Sequence, residues 1–272
     1  MQSLNGAHSL WQYYLYYGET EILEYCYDSF MRFLRLWNIS DSGVIGHRGG
    51  NWDWMDWGDH PDVAVIESSW YYVAAGNMIK VAEVLGKDQA DIDDLENRRA
   101  LLKENFDSLY WDESRGAYYS TTSDGKADDR GNALAVYSGL ADPSRYPQML
   151  KVFQTIEKSS PYMEKYVLEA MYMMGYAEEA ITRTLKRYDG MIKDGYPTLY
   201  EYWAANKLSG NGGTGTRNHA WSGAPLSMMY MFNAGITPTG AGFETFQVRP
   251  MLGSLSHAEA WTDTVSGTIS EM

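Results

Sequence analysis

The sequence predicts an all-α protein, an (α/α) toroid of helical hairpins, followed by a short C-terminal β segment. Apolar residues recur at helical spacing through most of the first 235 residues, with glycine and proline at short intervals between the segments. The segments share no fixed repeat length, which weakens the alternative of a superhelical repeat array. After Gly235 the pattern changes to short strand-like stretches. We therefore predict a helical-hairpin barrel at 1–235 and the start of a C-terminal β-domain at 236–272.

The helices are placed by apolar spacing and by the glycine and proline residues that end them. They are predicted at residues 10–17, 19–37, 63–85, 89–110, 131–140, 144–157, 162–174, 177–188 and 221–233. The core face of the second is predicted to be Ile22, Tyr25, Cys26, Phe30, Phe33, Leu34 and Trp37. Cys26 is the only cysteine, so an internal disulfide is excluded and a buried structural thiol is expected. An irregular hairpin with Tyr118 and Tyr119 in a strand is expected at 111–125.

Composition narrows the class of ligand. Tyrosine and tryptophan supply 32 of the 39 aromatic residues, and their polar tips suit a wet cavity. A net charge of −14 argues against nucleic acid or an anionic membrane as partner and favours a neutral or cationic ligand. No apolar run is long enough to span a membrane, and the N-terminus lacks the pattern of a signal peptide. The compartment is left open, including a periplasmic or extracellular parent protein.

The most informative segment is 51–59, which reads Asn-Trp-Asp-Trp-Met-Asp-Trp-Gly-Asp. A hydrophobic core does not accept carboxylates at this density, and a solvated acidic loop has no need of three indoles. Sugars use both, because indoles stack on their apolar faces and carboxylates hold their hydroxyls. We interpret the segment as a carbohydrate-binding loop. The alternatives are a structural loop whose tryptophans plug the helical core, and a metal or other ligand site.

A second candidate is Glu201, which lies between two tyrosines, one of them Tyr200, and is followed closely by Trp203. Pro197 favours an extended chain here, and alternation would then place Glu201 on one face with Leu199 and Trp203. A carboxylate among aromatic side chains is a group whose pKa can be shifted for acid–base work. The alternative is a surface glutamate flanked by core aromatics.

A third candidate is His219 in the segment Asn-His-Ala-Trp-Ser-Gly at 218–223. We expect a helix to start here with Asn218 as its cap, so that His219 is free to bind a ligand. A structural histidine is the alternative. The preceding glycine-rich run at 210–215 lacks the Gly-Lys-Ser/Thr ending of a phosphate loop, so nucleotide binding is rejected.

Metal and cofactor chemistry find little support. Five residues could converge on an ion: Asp53, Asp56, Asp59, His60 and Asp62. They follow neither the His-x-x-x-His spacing nor the EF-hand pattern, and no Gly-x-Ser-x-Gly elbow occurs. We predict neither a metal nor a cofactor.

The order of the motifs resembles the catalytic region of bacterial α-L-rhamnosidases of glycoside hydrolase family 78, or a close six-hairpin relative. The motifs are Asp-Trp-Gly at 56–58, Tyr-Glu-Tyr-Trp at 200–203, Asn-His-Ala-Trp-Ser-Gly-Ala-Pro at 218–225, Gly-Ile-Thr-Pro at 235–238 and Val-Arg-Pro-Met-Leu-Gly at 248–253. The likeness extends over nearly the whole chain. It implies an (α/α)6 barrel and an inverting, metal-independent hydrolysis of terminal α-L-rhamnosides.

The resemblance also implies roles for individual residues. Glu201 matches the general base, and His219 matches a sugar-binding histidine. Trp57 matches a tryptophan that lines the sugar subsite, and Asp56 is expected to contact a hydroxyl or a water. Glu67 is a looser match to an acidic sugar contact. Together with the aromatic and acidic neighbours, the predicted substrate-binding residues are Trp52, Asp53, Trp54, Asp56, Trp57, Glu67, Tyr200, Trp203 and His219.

One part of the family pattern has no match. The general acid of the family lies in a Cys-Pro-x-Arg-x-Glu-x-x-x-Trp-x-Gly-Asp segment that this sequence does not contain. We therefore expect a fragment without the first hairpin, weakly active or inactive alone, and oligomeric or poorly soluble because the open toroid exposes apolar surface. The alternatives are a carbohydrate-binding helical module without an acid, another six-hairpin glycosidase with a different sugar, and a helical interaction scaffold.

Overall fold

A computed structural model describes residues 2–49 and 54–271 of the chain. The predicted sugar contacts Trp52 and Asp53 lie outside the described residues. The helices are α1 (Gln2–Tyr17), α2 (Glu21–Arg35), α3 (Val63–Val84), α4 (Gln89–Tyr110), α5 (Asp129–Ser138), α6 (Tyr146–Thr155), α7 (Pro161–Met173), α8 (Ala177–Lys193) and α9 (Ala224–Met228). The strands are β1 (Trp111–Asp112), β2 (Ala117–Tyr118), β3 (Ile236–Pro238), β4 (Phe246–Val248), β5 (Ala260–Thr264) and β6 (Gly267–Glu271).

The helices form two curved layers. The odd-numbered helices pack side by side in chain order, α1 on α3, α3 on α5, α5 on α7 and α7 on α9. The even-numbered helices pack against them: α2 and α4 on α3, α6 on α5, and α8 on α7. The predicted all-α class and (α/α) toroid are confirmed. The toroid is incomplete, because the described residues supply five inner helices where six hairpins require six.

The inner helices begin at polar caps that bring the connecting loops to one end of the toroid. Asp62 accepts from Val65 N at the start of α3, Asp128 from Arg130 N at α5, and Ser160 from Tyr162 N at α7. Successive inner helices run in the same direction because an outer helix returns the chain between them. The loops that precede α3, α5, α7 and α9 therefore meet at one face.

The centre of the inner layer is aromatic. Trp70 of α3 meets Tyr166 of α7 edge to face, with ring centroids 4.9 Å apart, and lies 6.3 Å from Tyr137 of α5. His8 of α1 joins this group, with Nδ1 3.0 Å from Asn77 Nδ2 and Nε2 2.8 Å from the Tyr137 hydroxyl. These contacts tie four inner helices together across the axis. No helix in 2–49 or 54–271 combines the length and hydropathy needed to cross a membrane.

The predicted core face of α2 was wrong at Ile22 and Tyr25, whereas Leu34 and Trp37 are buried as predicted and Cys26, Phe30 and Phe33 pack partly buried against the core. The buried residues are Leu23, Tyr27, Met31 and Leu34, whereas Ile22 is exposed and Tyr25 is 84% exposed. Apolar side chains occupy adjacent positions along this helix, so their spacing fits more than one face and packing against α3 selects it. Cys26 is partly buried and forms no disulfide.

The predicted helix at 221–233 is also wrong in detail. A 3-10 turn at Ala220–Ser222 comes first, then α9, then a π-helical turn at Met229–Asn233. Gly223 separates the first two, so Asn218 caps no helix and His219 directly precedes the 3-10 turn. The C-terminal strands form two antiparallel pairs, β3 with β4 and β5 with β6.

Candidate functional site

Glu201 lies where the loop before α9 meets the loop before α3. Its Oε1 accepts from the indole Nε1 of Trp57 at 3.1 Å, and its Oε2 accepts from the Thr216 amide at 2.9 Å. The side chain is 12% exposed. The alternation predicted to place Glu201 on one face with Leu199 and Trp203 is wrong, because residues 201–204 form a series of bends. The backbone amide of Glu201 instead donates to Thr216 O, which folds the loop back on itself.

His219 approaches the same carboxylate through Thr216. The Thr216 hydroxyl lies 2.6 Å from His219 Nδ1 and 3.3 Å from Glu201 Oε2, and the direct distance from Nδ1 to Oε2 is 3.6 Å. A hydroxyl carries one proton, so if the Thr216 hydroxyl donates to the carboxylate, it must accept from an N–H group at His219 Nδ1. This arrangement leaves Nε2 of a neutral His219 as a hydrogen-bond acceptor.

Trp57, the indole partner of Glu201, belongs to a cluster of packed aromatic side chains. Trp54 stacks on Trp221, with centroids 5.5 Å apart and planes 9° from parallel, and meets Trp57 edge to face at 5.4 Å. Trp57 also lies 5.4 Å from Tyr202, and His219 lies 4.0 Å from Trp221. The structure therefore brings together Trp54, Trp57, Glu201 and His219 of the predicted set.

A cavity of about 390 Å³ opens beside this cluster. Trp57, Tyr202 and Trp203 supply its aromatic wall, and Ser159 and Ser160 also line it. Its other lining residues include the charged side chains of Asp59, Asp124, Glu157, Lys158 and Lys207. Apolar walls with a few placed polar groups are typical of small-ligand sites.

The carboxylate of Asp56 lies in an internal network and not at the cavity wall. It has no exposed surface, and it accepts from Arg130 Nη1 at 3.2 Å, from Ser160 N at 2.9 Å and from the Ser160 hydroxyl. Burial is the largest influence on the pKa of Asp56 and raises it, while Arg130 and Ser160 act in the opposite direction. This geometry holds the Trp57 loop, whereas the sequence suggested contact with a hydroxyl or a water.

Tyr200 and Trp203 flank Glu201 in sequence but point elsewhere. The Tyr200 ring is buried in a small satellite core, and its hydroxyl donates to Asp194 Oδ2 at 2.6 Å. The Trp203 indole N–H donates to the Ser159 carbonyl at 2.7 Å, and Arg187 stacks over its ring at 4.3 Å. Trp203 still reaches the 390 Å³ cavity, whereas Tyr200 does not line it.

Glu67 of α3 lies at a second, larger cavity of about 770 Å³, which it lines with His47, Tyr110, Trp111 and Tyr119. The Glu67 carboxylate is 2% exposed and lies 2.9 Å from His47 Nδ1. This cavity is bounded by the loop before α3 and the β1–β2 hairpin, and its lining shares no residue with that of the smaller one. Sequence order alone gave no indication of two cavities.

The remaining acidic residues of the Trp-Asp loop do not converge. Asp62 accepts from the Ser120 amide at 2.8 Å, and this bond fixes the β1–β2 hairpin to the start of α3. Asp59 and His60 are exposed at the rim of the smaller cavity. Across residues 2–49 and 54–271, no three acidic, histidine or cysteine side chains come close enough to share a metal ion.

Four contributors were missed from the sequence: Thr216, Trp221, Ser160 and Tyr162, whose ring lies 5.3 Å from that of Trp54 and 5.2 Å from that of Trp221. Trp221 lies two residues after His219 in a quoted motif, and the density of aromatics there was the indication that could have found it. Thr216 and Ser160 act through backbone amides and hydroxyls in loops of ordinary composition. Only the folded chain identifies such residues.

Comparison with known proteins gives the same family as the motifs. Residues 5–232 match the sequence model of the bacterial alpha-L-rhamnosidase six-hairpin glycosidase domain. An α-L-rhamnosidase of Streptomyces avermitilis is 24% identical over 282 residues, covering 96% of this chain and 26% of the relative. The chain therefore spans about a quarter of the length of this curated relative.

Solved structures share the fold. A family 78 rhamnosidase of Bacillus sp. GL1 superposes with a TM-score of 0.81 at 18% identity, over 97% of this chain and 30% of that protein. The Streptomyces avermitilis α-L-rhamnosidase complexed with L-rhamnose gives 0.75 at 22% identity, over 96% and 26%. The match over residues 5–232 shows that this chain belongs to the bacterial α-L-rhamnosidase six-hairpin glycosidase family.

Proposed function

We propose that this chain is the sugar-binding part of an inverting α-L-rhamnosidase, in which Glu201 is the general base. The observation that carries the proposal is the Glu201 carboxylate, held by Trp57 Nε1 from one loop and by Thr216 from another, beside an aromatic wall. Family membership and the rhamnose-bound relative support the choice of sugar.

The role of a base follows from the environment of the carboxylate. Each carboxylate oxygen has two lone-pair directions, so the single bond from Trp57 leaves one direction of Oε1 unused, whereas Oε2 accepts from both the amide and the hydroxyl of Thr216. An inverting enzyme uses such a carboxylate to take a proton from the water that attacks the anomeric carbon. The donors Trp57 and Thr216 hold the carboxylate from two sides and orient the remaining lone pair of Oε1 toward the proposed water.

The proposed sugar contacts follow from exposure and chemistry. Trp57 is partly buried and lines the smaller cavity, where we propose that its indole packs on the apolar side of a deoxy sugar, and His219 offers Nε2 to a sugar hydroxyl. His219 is 28% exposed, which leaves its ring edge available. Trp54, which packs against Trp57, is retained as a proposed contact of the same ligand, whereas Glu67 lines the separate cavity of about 770 Å³ and is not assigned to this ligand.

Hydrolysis of nitrophenyl α-L-rhamnoside at high protein concentration tests the assignment of the base. We expect slow turnover by the unmodified chain and a further loss of about 10²–10⁴-fold in Glu201→Gln, the range that removal of a general base gives. Rhamnose affinity, measured by titration of tryptophan fluorescence, should fall much less than turnover, because glutamine keeps an oxygen for the Trp57 N–H and loses only the acceptor for Thr216. The matched control is Glu83→Gln, which changes an exposed glutamate near the end of α3.

The same measurements separate the competing functions. Turnover that survives Glu201→Gln would refute Glu201 as base. Rhamnose binding without any turnover would favour a carbohydrate-binding module. The burial of the Asp56 carboxylate supports this alternative, because a buried carboxylate cannot act as an acid on a sugar in the cavity. Absence of any fluorescence response to sugars would favour a helical scaffold.

A further inference from the structure

Two adjacent serines between α6 and α7 contact both arms of the candidate site. The Ser160 amide donates to Asp56 Oδ2 at 2.9 Å, and the Ser160 hydroxyl donates to the other oxygen of that carboxylate. On the opposite side, the Ser159 carbonyl accepts from the indole N–H of Trp203 at 2.7 Å. This dipeptide therefore bonds to the loop that carries Trp57 and to the loop that carries Glu201.

These contacts close a ring of three chain segments. Asp56 is joined to Trp57 by one peptide bond, and Trp203 follows Glu201 by two residues. The bond from Trp57 Nε1 to Glu201 Oε1, at 3.1 Å, completes the circuit that Ser159 and Ser160 begin. In a closed ring, a change in one link is shared among the others. We therefore expect a shift of the serine dipeptide to change how the indole meets the carboxylate.

The serine dipeptide is itself held by buried charge. The Ser159 amide donates to Asp129 Oδ1 at 3.2 Å, and Arg183 ties Asp129 to Glu164 with bonds of 2.7 Å each. Ser159 and Ser160 are 1% and 4% exposed, and the Asp129 and Glu164 carboxylates have no exposed surface. Breaking a buried, paired charge network is strongly unfavourable, so the dipeptide is a fixed reference and not a mobile link.

The loop side is fixed in a comparable way. Arg130 bonds Asp56 through Nη1 and the Asp59 carbonyl through Nη2, at 3.2 and 2.8 Å. At Gly58 between them, an added Cβ would lie 2.0 Å from the Lys158 carbonyl and 2.5 Å from Arg130 Nη1. The two segments therefore pack without space to slide.

We propose that Ser159 and Ser160 are positioning residues that set the distance and angle between the Trp57 indole and the Glu201 carboxylate. They touch neither reacting atom in this assignment; they act through Asp56 and Trp203. The geometric statement stands without any enzymatic activity, whereas its consequence for catalysis rests on the proposed function. If Glu201 is the base, displacement of its indole partner lowers the turnover number by about 10–100-fold, as small misplacements in active sites do.

The test breaks the ring at either end and observes the bond that closes it. Ser160→Ala removes the hydroxyl bond to Asp56, and Trp203→Phe removes the N–H bond to Ser159 while keeping an aromatic ring. The readout is the indole N–H signal of Trp57 in a ¹H–¹⁵N correlation spectrum of the full chain, assigned from its loss in Trp57→Phe. We expect this signal to move in both variants.

The control accounts for the second role of Ser160 as the cap of α7. Asp142→Ala removes a cap at the 3-10 turn that leads into α6, outside the ring, and should leave the Trp57 signal in place. Coincidence of the Trp57 signal with that of the unmodified chain in Ser160→Ala and Trp203→Phe would overturn the proposal. If Ser160→Ala does not fold, Trp203→Phe carries the test alone.

The outcome is separable from that of the proposed function. A displaced Trp57 signal in a chain that hydrolyses no rhamnoside leaves the positioning role standing and removes the catalytic one. If rhamnoside hydrolysis depends on Glu201 but the Trp57 signal does not move in the ring variants, Glu201 remains the base and the positioning role of the serines is refuted.

Discussion

His8 gives a pH-dependent contribution to stability whose size follows from the structure. Asn77 Nδ2 can only donate a hydrogen bond, so His8 Nδ1 accepts it, and Nε2 donates to the Tyr137 hydroxyl. A proton added at Nδ1 would face the amide donor of Asn77. Burial, with smaller contributions from Lys165 and Lys80, lowers the pKa of His8 to about 3.

The sign follows from which state binds the proton. His8 is protonated below about pH 6.5 in the unfolded chain, but only below about pH 3 in the folded protein. Between these pH values, proton binding stabilises the unfolded state relative to the folded state. At about pH 5 this difference amounts to about 2 kcal/mol, and near pH 7.5 it is negligible. We expect the free energy of unfolding to fall by this amount beyond the contribution of other groups.

Urea unfolding, followed by far-UV circular dichroism at both pH values, isolates the effect of His8. His8→Gln keeps an acceptor for Asn77 and a donor for Tyr137 but cannot be protonated, so its loss of stability on acidification should be smaller than that of the unmodified chain by about 2 kcal/mol. His257→Gln, at an exposed histidine, should lose as much as the unmodified chain. An equal loss in His8→Gln and the unmodified chain would show that the neutral, partly buried His8 is not the source.

Two further substitutions test how the loops are held. Gly58→Ala places a methyl group against the Lys158 carbonyl and Arg130, and we expect a loss of about 1–3 kcal/mol in urea unfolding, since no space exists for it; unchanged stability would show that the two segments can separate. Asn132→Ala removes the buried amide that bonds both the N–H and the carbonyl of Tyr118, at 2.8 and 2.9 Å, and leaves those groups unsatisfied. The expected loss is about 1–3 kcal/mol, with faster hydrogen exchange at Tyr118; exchange at the unmodified rate would contradict it.

Much of the fold could be predicted because its causes are local. The inner helices α3 and α7 have long apolar patterns bounded by Asp62, Ser160 and Pro161, and caps act within three residues of chain. The phase of α2 could not be predicted, because Ile22 and Leu23 are both apolar and only the position of α3 decides which is buried. The segment after Gly223 was also beyond local reasoning, since its turns depend on packing against α7.

The same distinction between local causes and long-range packing applies to the candidate site. The sequence by itself determined the chemical types, indoles with carboxylates at 54–57 and a glutamate among aromatics at 201, because residue type fixes what a group can bind. It also determined the family, since the order of motifs survives without coordinates. The roles of Trp57 and His219 stay predictions until the binding measurements above are made.

Tertiary structure alone decided which of these groups meet. Trp57 and Glu201 are 144 residues apart in the chain and share a hydrogen bond, whereas Tyr200, next to Glu201, points into a separate core. Asp56 is adjacent to Trp57, yet its carboxylate is buried against Arg130, because neighbouring side chains in a bent loop project to different sides. Contacts of this range depend on how helices pack, and no local pattern encodes them.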